Sequence, residues 1–193
     1  LCLLDPHGEL VDDLLEYIPP NRINDVILFD VWDAEYPIGF NLLQADNETE
    51  KNKLASGVVA TFQKLFENSW GPRLEYILRN VVLSIIDYPN ATLMHILRVL
   101  TDKEFRDEVI SNVKDPLLLK FWHNEFNKWQ DKQREEAVWP ITNKVGRFLS
   151  SRLVRNIFGQ PRSKLSIRKA MDEWKIVLVN LSKGKIGEDN ANM

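Results

Sequence analysis

Cysteine is almost absent from this chain: Cys2 is the only one in 193 residues, so no internal disulfide can form. That scarcity fits a reducing compartment, and the cytosol is the expected location. Long apolar runs are missing too. The longest, such as Val81-Val82-Leu83 and Ile176-Val177-Leu178-Val179, fall far short of the roughly 20 residues a membrane helix needs. No charged leader followed by an apolar stretch and a small-residue cleavage site marks secretion. The three histidines, His7, His95 and His123, share no metal-ligand spacing with one another or with Cys2, and His123-Asn124-Glu125 is not a zinc helix motif. No Gly-x-Ser-x-Gly elbow is present, and Cys2, in an apolar strand, reads as core rather than nucleophile. The phosphate loop Gly-x-x-x-x-Gly-Lys-Ser/Thr is also lacking, because Gly184-Lys185 is followed by Ile186. There is no internal repeat and no low-complexity linker.

What is present is an ordinary folded composition, 44% hydrophobic and 27% charged, which excludes disorder. Its charge is segregated. Residues 1–50 carry twelve acids (Asp5, Glu9, Asp12, Asp13, Glu16, Asp25, Asp30, Asp33, Glu35, Asp46, Glu48, Glu50) against Arg22 alone. From Ala137 to Ala170 the balance reverses, with Lys144, Arg147, Arg152, Arg155, Arg162, Lys164, Arg168 and Lys169 and no acid. Such a stretch is either an electrostatic footprint for nucleic acid, or a set of solvated faces that meet the acidic face of the same molecule or a neighbouring subunit.

Along the chain, Leu1 to Leu4 reads as a buried strand, Glu9 to Tyr17 as a short amphipathic helix stopped by Pro19-Pro20, and Asp25 to Val31 as a second strand. That is the spacing of a βαβ unit with a parallel pair. Helical periodicity then takes over from Asn47 to Phe158. Leu54, Val58, Phe62 and Leu65 share one face, and Leu74, Ile77, Leu78, Val81 and Ile85 share another. Thr92 is a candidate cap, Thr101 with Glu104 has capping-box spacing, and Asp115-Pro116 opens a long helix through Trp129. Pro140 is expected to start a further helix that Gly159 ends. After Pro161, Ser166 caps a short helix and Lys175 to Leu181 is a buried strand. The expected fold class is therefore α/β, a parallel sheet from residues 1–46 and 159–193 interrupted by an all-helical insertion, residues 47–158.

Candidate chemistry concentrates in Asp5-Pro6-His7-Gly8-Glu9. Two carboxylates just past a strand end suit a general base that orients water, or an outer-shell contact with Mg²⁺, and Gly8 permits a positive φ or close approach of a phosphate. The competing reading is a tight turn in which Glu9 favours the helix start. Leu1–Asp5 and Val26–Asp30 also fit the loose pattern of a Walker B strand, four apolar residues and then Asp. The aromatics of the helical segment fall at core spacing. Lys144 to Arg155 is the better nucleic-acid candidate, by phosphate contact without sequence readout.

Leu3-Leu4-Asp5-Pro6-His7-Gly8-Glu9 resembles the segment after the phosphate-loop helix in the HerA/FtsK superfamily of RecA-like motors. Trp70-Gly71-Pro72-Arg73-Leu74-Glu75-Tyr76-Ile77-Leu78-Arg79-Asn80, with Ala91-Thr92-Leu93, Leu100-Thr101-Asp102, Phe105-Arg106 and Phe121-Trp122, is similar to the helical insertion of TraG/TraD-like conjugative coupling ATPases and type IV secretion ATPases. Lys175 to Glu188 resembles the strand with which that family re-enters its RecA-like core. The resemblance implies an ATP- and Mg²⁺-dependent motor, usually a hexameric ring, that moves DNA or nucleoprotein, with secretion-channel or relaxase partners. Its implied location is the cytoplasm, at the cytoplasmic face of the inner membrane where an upstream anchor exists. The family's phosphate loop would precede Leu1 and its Walker B strand would follow Met193, so this chain alone is expected to be inactive. By matching position, Asp5 and Glu9 become catalytic candidates, and His7, Gly8, Asn180 and Ser182 lie near the nucleotide. Lys144, Arg147, Arg152, Arg155, Lys183 and Lys185 become nucleic-acid contacts. The alternatives are a non-catalytic nucleic-acid or protein-binding module and a HerA-like DNA-end-processing motor, the latter without the Trp70-Gly71-Pro72-Arg73 domain.

Overall fold

A computed structural model describes residues 1–45 and 47–182. Three strands, β1 (Cys2–Asp5), β2 (Val26–Asp30) and β3 (Ile176–Asn180), form one parallel sheet in the order β1-β3-β2. The remaining elements are mostly helical, so the chain is α/β with a large helical part. Between β1 and β2 lies α1 (Glu9–Glu16). Between β2 and β3 run α2 (Glu48–Leu65), α3 (Pro72–Ile86), α4 (Met94–Thr101), α5 (Lys103–Asn112), α6 (Pro116–Lys120), α7 (Asp131–Ser150), α8 (Arg152–Phe158) and α9 (Ile167–Asp172).

Both strands of the expected βαβ unit are parallel, but they are not neighbours: β3, from the far end of the chain, sits between them. The position between the two belongs to the most apolar strand, buried on both faces. This leaves β1 at an edge. Its expected burial fails for that reason, with Leu4 61% exposed and Cys2 exposed rather than in a core. Side chains alternate across the sheet. Leu3, Val26, Ile176 and Leu178 pack with Val11, Leu14 and Ile18 on the α1 side, while Ile27, Phe29, Val177 and Val179 pack with Ile157, Leu165 and Ala170 on the other.

The helical part has its own core, from Val58 and Phe62 on α2 through Ile77, Val81 and Ile85 on α3 to Ile141, Val145 and Phe148 on α7. Its local chemistry departs from the sequence expectation in four places. Asp102, not Thr101, caps α5 by accepting from the Phe105 N–H at 3.0 Å, and the Thr101 hydroxyl donates to the Leu97 carbonyl instead. Thr92 does not cap α4, and its N–H donates to His95 Nδ1 at 2.9 Å. Asp115 does cap α6, but the helix ends at Lys120 and widens into a π turn, Phe121–Glu125, followed by a 3₁₀ turn, Phe126–Lys128. The wider turn lets Phe121, Trp122 and Phe126 all face inward, with centroids 4.9 to 5.9 Å apart, and the Trp122 indole donates to Ser84 Oγ at 2.8 Å. Finally, Pro140 lies inside α7 rather than at its start. The carbonyl that Pro140 leaves without its helical donor belongs to Glu136, an exposed residue.

Candidate functional site

The parallel sheet brings three polar residues level at its carboxyl edge: Asp5 pairs in register with Asn180, and Asn180 with Asp30. All three side chains lie on the α1 side, because they continue the alternation of Leu3, Leu178 and Leu28. In the sequence Asp30 stands out only as one of the twelve acids of residues 1–50 and as the end of a loose strand pattern. Its alignment with Asn180 depends on long-range register, which leaves no local signal.

Asp5 is 5% exposed, and its carboxylate faces the start of α1. Oδ1 accepts the His7 N–H at 2.9 Å, and Oδ2 accepts those of Leu10 and Val11 at 2.9 and 3.1 Å. The His7 bond above all, with those from Gly8, Val11 and Leu10, holds this carboxyl below the usual carboxylate range, although burial works the other way. At neutral pH the group is thus ionised and reluctant to take a proton, and its lone pairs organise the turn. Glu9, in the first turn of α1, is exposed, as is His7.

Gly8 has φ 90° and precedes α1. A Cβ placed there would stand 2.9 Å from Asn180 Oδ1 and 3.2 Å from Ser182 Cβ, so the loop lies tight against the end of β3. Asn180 Oδ1 in turn accepts the Ser182 N–H at 3.1 Å, and both residues are buried. The structure therefore unites Asp5, Gly8, Asn180 and Ser182 in one continuous patch. Beside it, at the end of β2, Asp30, Trp32, Asp33 and Tyr36 line a hollow of about 440 Å³.

Lys144, Arg147, Arg152 and Arg155 do not lie along one helix, because α7 ends at Ser150 and Ser151 caps α8. The Lys144 ammonium stands 5.8 Å from the centre of the Phe66 ring. Arg155 donates to the Leu149 and Ser150 carbonyls, closing the C-terminus of α7. Arg147 and Arg152 are exposed, and so are Arg162, Lys164, Arg168 and Lys169. Lys183 and Lys185 lie outside the described residues.

The N–H groups that a phosphate would need at the start of α1 are engaged by Asp5, and Gly8 is closed off by Asn180. These residues do not by themselves make a nucleotide cradle. Among the described residues no cluster of three or more His, Cys, Asp or Glu is placed to hold a metal, and no helix is long and apolar enough to cross a membrane. Comparison of the chain with protein-family models, with curated proteins and with solved structures finds no match.

Proposed function

We propose that this chain is part of the RecA-like core of an ATP-driven translocase of DNA or nucleoprotein, of the conjugation and type IV secretion kind, with the helical part serving substrate or partner recognition. The observation that supports it is the sheet edge. Two strands before the helical part and one after it run parallel, with Asp5, Asn180 and Asp30 level at the carboxyl ends, which is where open α/β sheets bind ligands. In this reading the phosphate-binding loop comes from elsewhere in the whole protein. The residues of this chain shape the neighbouring edge: Asp5 fixes the turn, Gly8 lets it pass against Asn180, and Glu9 offers a free carboxylate.

The test is ATP turnover of the whole protein. Glu9→Gln, on an exposed residue, is expected to lower turnover at least ~10-fold with stability unchanged. Asp5→Asn acts differently, since it weakens the turn bonds and lowers stability together with turnover. Unchanged turnover in both refutes the role of this loop.

A second reading, a nucleic-acid-binding module, is favoured by the exposed Arg147 and Arg152. Phosphate contact predicts DNA affinity that falls steeply with salt, and that Arg147→Glu with Arg152→Glu weakens by ~10-fold or more. Fluorescence anisotropy against labelled duplex and single strands checks it. Affinity indifferent to both salt and charge reversal excludes it.

A further inference from the structure

The hollow at the end of β2, about 440 Å³, is built from one continuous segment and lined by Leu28, Asp30, Trp32, Asp33, Tyr36 and Ile38. Residues 28–38 hold three acids, Asp30, Asp33 and Glu35, and no lysine or arginine. Each lining carboxylate gives one oxygen to the turn and keeps the other. Asp30 Oδ1 accepts the Trp32 N–H at 2.9 Å, and Asp33 Oδ1 accepts those of Glu35 and Tyr36 at 3.0 and 2.7 Å. Among the described residues neither Oδ2 meets a donor, and neither carboxylate pairs with a cation.

The indole beside these carboxylates is a second and independent observation. Trp32 Nε1 is buried and meets no acceptor among the described residues, although a buried indole N–H ordinarily finds one. Hydrogen bonding therefore does not account for a tryptophan at this position. What the residue brings to the hollow is a large aromatic surface, and Tyr36, 78% exposed, brings another. Two carboxylates with an open oxygen each and two aromatic side chains around one hollow complement a cation with a flat, weakly hydrated body. A phosphate or carboxylate would meet only like charge there. A bare divalent ion is poorly served as well, because hard cations gather about six oxygens and this lining sets two carboxylates among apolar and aromatic groups.

We propose that this hollow binds a guanidinium group, its plane against Trp32 and Tyr36 and its N–H donors on Asp30 Oδ2 and Asp33 Oδ2. A guanidinium suits the lining better than an ammonium does, because its plane stacks on aromatic rings and its fork of donors reaches two acceptors at once. Free arginine and the arginine side chain of a peptide both offer this group. The site involves no nucleotide, so loss of ATP turnover or of DNA binding in the tests above would leave it standing.

The experiment is a titration of the 193-residue chain, followed by ¹H–¹⁵N NMR at the Trp32 indole, which is identified as the resonance missing from Trp32→Phe. Nα-acetyl-arginine amide is expected to shift it saturably, in the millimolar range or tighter, and more weakly as salt rises. The citrulline analogue, alike in shape but neutral, is expected not to bind, and the lysine analogue to bind at least ~5-fold more weakly. Asp30→Asn and Asp33→Asn keep the turn-making oxygen and remove the charge, and each should weaken the arginine amide ~10-fold. Tyr36→Ala, at an exposed residue, should weaken it ~3-fold, whereas Tyr36→Phe retains binding. Circular dichroism checks that each variant is folded. Free arginine, run beside the amide, separates the two sources: tighter binding of the free amino acid assigns a small molecule, and equal or tighter binding of the amide assigns a peptide side chain. No shift of the indole, equal binding of the citrulline or lysine analogue, or indifference to both carboxamide substitutions overturns the proposal. So does a shift with ATP and none with the arginine amide.

Discussion

Replacing Gly8 by Ala tests whether the sheet edge is built as described. The change adds one methyl group, and two independent costs follow from the structure. At φ 90° a residue with a Cβ is strained by about 1–2 kcal/mol. The new Cβ also stands 2.9 Å from Asn180 Oδ1, which must move. That oxygen accepts the Ser182 N–H, so displacing it sacrifices a buried hydrogen bond worth about 1 kcal/mol. Together they predict a loss of about 2–3 kcal/mol, seen as a lower urea midpoint at constant m-value and a drop in melting temperature of roughly 5–10 °C. Gly57→Ala supplies the opposite sign in the same assay. Gly57 lies inside α2 with nothing within 4 Å of a built Cβ, so Ala there stabilises by about 0.8–1 kcal/mol. If Gly8→Ala matches Gly57→Ala, the loop is not held against β3 and the patch of Asp5, Gly8, Asn180 and Ser182 does not exist as described.

Two further perturbations probe the helical part. Lys51 Nζ lies 2.6 Å from Asp87 Oδ1, the lysine buried and the carboxylate partly so, so Lys51→Met should cost about 3 kcal/mol by leaving the carboxylate without its partner, and adding Asp87→Leu should recover most of it, as measured by denaturant unfolding. His95 accepts the Thr92 N–H on Nδ1 and is held below the ordinary histidine range, first by burial and also by Arg98. The folded protein therefore takes up this proton less readily than the unfolded chain. The His95 contribution is fully present above about pH 6.5 and is lost as pH falls through the folded-state value; His95→Phe should flatten the melting temperature over that window, and an unaltered pH profile refutes it.

Where structure followed local chemistry, the sequence was legible. Ser166 caps α9, Asp115-Pro116 opens α6, and the apolar spacing of α2 and α3 faces the core as its periodicity requires. Misreadings arose where a local signal was overruled by packing. Three aromatics needed one side of a single segment, which turned a regular helix after Lys120 into a π turn, and Pro140 was taken into α7 where the residue one turn back, Glu136, is exposed. The loop after β1 lay between these cases. Its residue types showed a carboxylate turn beside a strand end, but whether Asp5 offered its oxygens to a ligand or to the backbone was a matter of geometry, and the N–H groups of His7, Leu10 and Val11 take them.

The amino-acid order by itself determined that strands flank a helical stretch, that acids collect in the first fifty residues, and that bases collect between Ala137 and Ala170, because periodicity, capping and charge are properties of neighbouring residues. Tertiary structure alone decided that β3 separates β1 from β2, that β1 lies open at an edge, and that Asp5, Asn180 and Asp30 come level beside Gly8. Those facts rest on pairings such as Cys2 with Val177, residues from opposite ends of the chain, and hydrogen-bond register across such a separation is set by the packing of whole faces.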